Sequence, residues 1–230
     1  MALDPREREQ LNRIKKLWRS YGIQLIVIVG SVAISLAGFN IYTGYQNNKL
    51  AESAELYEQF KQLDQSWQTL ARDNASLAAN ASEGEYAFSS LEVLTAMEEV
   101  AELLRLEYSN TNQAAYANLR LGAIYVHQQD LTTASQTLRW VITNAKSSHA
   151  IDLAVLQLSR IIMVQGDPTE ALALIESRND VSATNAELRG DILRALGRYQ
   201  EALAAYQLAI KRGSSEKFIR YKISLLPLEE

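Results

Sequence analysis

The chain has 230 residues, with 23 Lys and Arg against 27 Asp and Glu, no Cys, and a formal net charge of −4. The lack of Cys excludes disulfides and thiolate metal sites, and only three Pro and ten Gly beside abundant Ala and Leu favour helices over strands. The charge is divided, +3 over the first 45 residues and −7 over the rest; an acidic body repels phosphate backbones, which argues against nucleic acid as a partner.

Residues 4–19 place Leu11, Ile14, Leu17 and Trp18 at spacings of three and four, the pattern of a short amphipathic helix. Residues 20–48 then carry no charge. Their apolar heart is 21–45, and at 1.5 Å per residue it reaches about 37 Å, enough to cross a hydrocarbon core of about 30 Å with some tilt. Trp18, Tyr21, Tyr42 and Tyr45 stand where a transmembrane helix sets its interfacial aromatics. Arg6, Arg8, Arg13, Lys15, Lys16 and Arg19 precede the span, whereas only Lys49 and Lys61 follow it as far as residue 61. Excess Lys and Arg stay on the cytoplasmic side. The expectation is a single-pass protein with residues 1–20 in the cytoplasm and 46–230 outside it. The basic tail also suits anionic membrane lipid. Two other readings stand beside this one. Ser35-Leu36-Ala37 has the small-x-small form of a signal-peptide site, cleaved after Ala37, and a charge-free helix can also be a buried core element.

Residues 49–72 continue in helical period, with Leu56, Phe60, Leu63, Trp67 and Leu70 on one stripe, as a stalk helix. Residues 73–85 are small, polar and acidic and read as a loop. Over 86–108 the spacing predicts a helix that turns Leu91, Leu94, Met97, Val100, Ala101 and Leu104 inward, and 109–113 is the next break.

From there the chain repeats. Gln129-Asp130-Leu131-Thr132-Thr133-Ala134, Gly166-Asp167-Pro168-Thr169-Glu170-Ala171 and Gly197-Arg198-Tyr199-Gln200-Glu201-Ala202 align, with their last Ala residues 37 and 31 positions apart. This is the tetratricopeptide layout, two antiparallel helices with small residues where they cross. Gly122 and Ala134 permit close approach, Gly166 and Gly197 supply tight turns, and Leu138, Ile175 and Tyr206 fill space towards the next repeat. Ser159 replaces the small Gly of the first helix in the second unit, Gly190 restores it, and Arg189 stands where Leu is usual. Residues 114–212 read as three helix pairs, and 216–226 as a capping helix over the exposed apolar end. The expected fold is all-α: a basic tail (1–20), a transmembrane helix (21–45), a stalk helix and loop (46–85) and a tetratricopeptide-like solenoid (86–230).

The sequence holds no catalytic constellation: no phosphate loop, no Gly-x-Ser-x-Gly, no His-Glu-x-x-His. His127 and His149 stand on different elements, and Glu98-Glu99 reads as a pair of solvated surface charges. The reading is non-enzymatic and without cofactor. In a tetratricopeptide unit the first helix lines the concave face. That rule collects Tyr116, Leu119, Ala123, Val126 and His127, then Leu153, Leu156, Arg160, Met163 and Val164, then Thr184, Glu187, Asp191 and Arg194. The groove is apolar at one end and charged at the other, a surface for apolar polypeptide segments with adaptable Leu and Met contacts. Alternatively one of the protein's own helices, 86–108 or the stalk, fills it.

Glu9-Gln10-Leu11, Ile14-Lys15-Lys16-Leu17-Trp18 and Tyr21-Gly22 before the span, Tyr57 in the stalk, Asn110-Thr111-Asn112 leading into Tyr116-Ala117-Asn118-Leu119, and Glu187-Leu188-Arg189-Gly190-Asp191 before the third turn together carry a family resemblance. The chain resembles the YfgM-like proteins, ancillary subunits of the bacterial SecYEG translocon, over nearly its whole length. The resemblance implies a bacterial inner-membrane protein with a periplasmic domain. It also implies work beside SecYEG with a membrane-anchored PpiD-like chaperone, on newly exported polypeptide segments. An adaptor of another envelope assembly, or a regulator acting through the basic tail, would share the same architecture.

Overall fold

The computed structural model describes residues 5–77, 83–178 and 182–227, and of residues 5–14, 17, 20–30, 33, 73–77 and 83–89 the backbone alone. Among the described residues the chain is all-helical: α1 (Pro5–Leu77), α2 (Glu83–Glu107), α3 (Asn112–His127), α4 (Leu131–Asn144), α5 (Ser148–Val164), α6 (Pro168–Glu176), α7 (Ala183–Ala195), α8 (Tyr199–Lys211) and α9 (Glu216–Ser224). α1 is 73 residues long. No Pro follows Pro5 until Pro168, so nothing in that stretch removes a helical hydrogen bond. The short tail helix, the apolar span and the stalk expected from the sequence are therefore one helix. Of the stretch 73–85 expected as a loop, 78–82 lie outside the described residues, and 73–77 and 83–85 are helical. Its Ala and Leu content allows that.

The chain divides into two compact units, Met1–Ala51 and Glu52–Glu230. In the first, Val32, Ile34, Leu36, Phe39 and Ile41 are all more than half exposed, on two opposite faces of the helix. Ser35 donates to the Ser31 carbonyl at 2.8 Å, and the Lys49 ammonium lies 5.4 Å from the Tyr45 ring centre. Among the described residues no helix is long and apolar enough to cross a membrane; the side chains of 21–30, the first part of the expected span, lie outside them.

The second unit is a stack of helix pairs. Residues 52–77 of α1 and all of α2 form the first pair, antiparallel because the Tyr108 hydroxyl just beyond α2 donates to Glu52 at 2.8 Å. Phe60, Leu94, Met97, Ala101 and Leu104 are buried between them and α3. Leu91, expected inside, is 60% exposed: it stands off the 94–97–101–104 stripe, on the outer face of α2. The other pairs are α3–α4, α5–α6 and α7–α8, as the repeat spacing predicts, and α9 closes the end with Ile219 and Leu226 buried. Side-chain caps start most of these helices: Thr111, Asp130, Ser147, Asp167 and Ser182 each accept a hydrogen bond from the backbone N–H three residues on.

Each crossing is set by a small residue. A Cβ on Gly122 would lie 3.0 Å from Leu138 Cδ2, and one on Gly190 would lie 2.6 Å from the Tyr206 ring. Leu138 and Tyr206 thus fill the crossings within their own pairs, and Tyr206 also faces the next element, with the Lys222 ammonium of α9 5.9 Å from its ring centre. Ser159, in the equivalent position, is fully buried, and its hydroxyl has no hydrogen-bond partner. The turns between paired helices need a left-handed residue, and Gly166 (φ +94°) and Gly197 (φ +73°) supply it. In the first repeat Gln129 takes the same role at φ +64°.

Candidate functional site

The first helices of successive pairs stand side by side, and at the two ends of the stack a cationic side chain ties one of them to the first helix before it. Arg120 on α3 bonds Asp64 on α1 at 2.7 Å and lies 5.6 Å from the Trp67 ring centre. His127 meets the same Trp67 ring edge-on at 6.2 Å. At the other end Lys222 on α9 reaches Glu187 at 2.8 Å and Asp191 at 2.6 Å, both on α7. Asp191 also accepts from the Tyr206 hydroxyl at 2.7 Å. Burial, and then that bond, raise the Tyr206 pKa above its ordinary value. Glu98 is likewise no solvated charge, because the Tyr125 hydroxyl donates to it at 2.7 Å. Burial and this bond raise the Tyr125 pKa too.

Between these two filled ends lies an open groove of about 720 Å³. Ala123 and Val126 of α3, Gln129 and Leu131 at the first turn, and Gln157, Arg160, Ile161 and Val164 of α5 line it. Its walls are apolar, with Val126 38% and Val164 71% exposed. Three polar side chains, Gln129, Gln157 and Arg160, interrupt them. The Gln157 Oε1 is buried without a hydrogen-bond partner, and Arg160 is exposed and forms no ion pair among the described residues. A smaller hollow of about 270 Å³ between α1 and α3 is lined by Trp67, Arg120 and His127 among others. Among the described residues no group of three His, Asp or Glu side chains could hold a metal ion.

The sequence-predicted groove residues divide among these places. Val126 and Arg160 line the open groove, together with Ala123 and Val164. Leu119 is buried in the core. Tyr116, Leu153, Leu156 and Met163 are half-buried and pack against that core. Glu187 and Asp191 are held by Lys222, and Arg194 is exposed near the end of α7. The charged end of the expected groove is thus occupied by α9, and part of the α3 face by α1. Sequence reasoning missed Gln129, Leu131, Gln157 and Ile161. Gln129 belongs to a turn and Leu131 opens α4, a second helix, neither of which a rule for the faces of first helices reaches. The lining stripe of α5 is 157–160–161–164, which shares Arg160 and Val164 with the expected 153–156–160–163–164 and takes Gln157 and Ile161 in place of the others.

Over residues 15–227 the chain matches the family described as Tetratricopeptide repeat-like domain. It is also similar to a protein of Neisseria gonorrhoeae (strain ATCC 700825 / FA 1090) named "Ancillary SecYEG translocon subunit". The two are 26% identical over 214 residues, which is 92% of this chain and 91% of the relative. The likeness to ancillary translocon subunits read from the sequence therefore extends over nearly the whole of both chains. With its helices paired around small crossing residues and the family match spanning all of those pairs, the chain belongs to the tetratricopeptide repeat-like family.

Proposed function

We propose that this protein is a non-enzymatic ancillary subunit of the SecYEG translocon, anchored in the bacterial inner membrane, with its helical-repeat domain in the periplasm. The observation that carries this reading is the end-to-end likeness to a relative named for that role. The anchor is residues 21–45, with 1–20 in the cytoplasm and 46–230 in the periplasm. The absence of charge over 20–48, the Lys and Arg excess before it, and the large apolar side chains exposed on opposite faces of the helix from Val32 to Ile41 support it. A charge-free helix with large apolar side chains exposed on two opposite faces is out of place in water.

In this reading the 720 Å³ groove receives short apolar stretches of chains leaving the translocon. Val126, Ile161 and Val164 contact side chains, Gln157 accepts from a backbone N–H, and Arg160 meets an acidic residue. Tethering near the exit raises the effective concentration of groove and client. A PpiD-like membrane-anchored chaperone is the further partner that the family resemblance implies.

Affinity purification from membranes in mild detergent tests the assignment: SecYEG subunits are the expected companions, and recovery of a different envelope complex would overturn it. For the groove, Val126→Glu with Val164→Glu places two charges on already exposed positions, so the helical content is expected to hold. Site-specific crosslinking to a secreted chain arrested during export should fall about tenfold, a loss of about 1.4 kcal/mol. Unchanged crosslinking in the folded variant would remove the groove from the reading.

A further inference from the structure

The second unit leaves an apolar stripe uncovered at each end, and the two stripes carry opposite charge. On α9, Ile219 and Leu226 turn inward while Phe218, Tyr221 and Leu225 stay 53%, 62% and 50% exposed. Their spacing of three and four puts them on one face. Lys217 and Arg220 are exposed beside them, and residues 211–222 hold five basic residues and one acidic residue in an otherwise acidic unit. On α2, Leu91, Leu103 and Leu106 are 60%, 43% and 70% exposed. Glu92, Glu99 and Glu102 are the exposed charges around them.

The positions in the stack fit as well as the chemistry. α9 follows α8 as α7 follows α6, and its Lys222 reaches α7, so it stands where the first helix of a further pair would stand. Among the described residues no second helix covers it. α2 is itself a second helix, apolar on its outer face and acidic around it. We propose that the outer face of α9 docks the outer face of α2 from a second copy of this chain. Phe218, Tyr221 and Leu225 pack on Leu103 and Leu106, and Lys217 and Arg220 face Glu99 and Glu102. Arg220 now bonds Glu216 in an exposed pair within α9 that is easily exchanged, and Glu102 is itself exposed although its partner Arg105 is half-buried against the Trp140 ring. Because the two surfaces differ, the contact is head to tail, and each copy offers one of each kind.

The chain has no Cys, which permits a direct test with the full-length protein. Differently tagged copies carrying Leu103→Cys and Tyr221→Cys are expressed together in intact cells and treated with a short thiol crosslinker. A product joining the two tags, absent when either variant is paired with itself, is the expected result. Lys217→Glu with Arg220→Glu in the Tyr221→Cys copy should cut that product about tenfold. Adding Glu99→Lys and Glu102→Lys to the Leu103→Cys copy should restore it. All these side chains are exposed, and circular dichroism checks that helical content is retained. No mixed product, self-coupling of the Tyr221→Cys copies, coupling to a different protein, or indifference to the charge exchange would each overturn the proposal.

Discussion

Gly190 and Tyr206 show how closely this fold depends on single atoms. The Tyr206 ring is fully buried and its hydroxyl is held by Asp191, so it has little room to move from a new Cβ 2.6 Å away. Gly190→Ala should therefore lower stability by about 1–3 kcal/mol in chemical denaturation, as overpacking does. The double variant with Tyr206→Leu, which copies the Gly122–Leu138 crossing, should recover part of that loss. Gln129 offers the opposite case. A side chain held at φ +64° is strained, so Gln129→Gly should raise stability by about 0.5–1 kcal/mol. The tyrosines set the alkaline limit. The folded state raises the Tyr206 and Tyr125 pKa values above the ordinary 10.0, so their stabilising share is complete below that pH. It is lost as pH climbs through the raised values. Tyr206→Phe should be less stable at neutral pH yet lose less stability above pH 10, a difference that melting curves taken across the alkaline range would reveal.

At the scale of the helix, Lys222 is the pin that fastens α9. It neutralises Glu187 and Asp191 at once from a site only 17% exposed. Lys222→Met keeps the stem but leaves two neighbouring carboxylates without a cation. Amide hydrogen exchange should quicken in α9 and the end of α8 and stay unchanged in α3 and α4. Protection lost throughout the unit would show that its layers are not independent. The three central pairs were legible in the sequence because each advertises itself with a turn residue, a polar cap and a small Ala at fixed spacing. The first pair was not, because its helices carry no such turn and a composition rich in Ala, Leu and Ser serves loop and helix equally. The candidate groove was legible only as a face. Helical period names the side of α5 that looks inward, but a rotation by one residue decides whether Leu156 or Gln157 lines the groove. That rotation is fixed by what packs behind, the crossings at Gly122 and Ser159. The self-filling of the charged end by α9 depends on the two long-range ion pairs of Lys222, which no local pattern records.

For the whole second unit the governing fact is layering: helix contacts run within a pair or between consecutive pairs. Stability in such a stack is a sum over layers and the junctions between them. A substitution in one layer and a substitution two layers away should then add, and a double-variant cycle joining Gly122→Ala to Lys222→Met should give an interaction below about 0.5 kcal/mol. The same layering has a mechanical meaning. A force applied at the C-terminus has no distant contact to recruit, so α9 and α8 would detach before α6 or α4 felt the load. Extension in an optical trap should proceed as a staircase of short lengthenings rather than one rip, and the chain could surrender its last layer and take it back while the groove between α3 and α5 kept its shape.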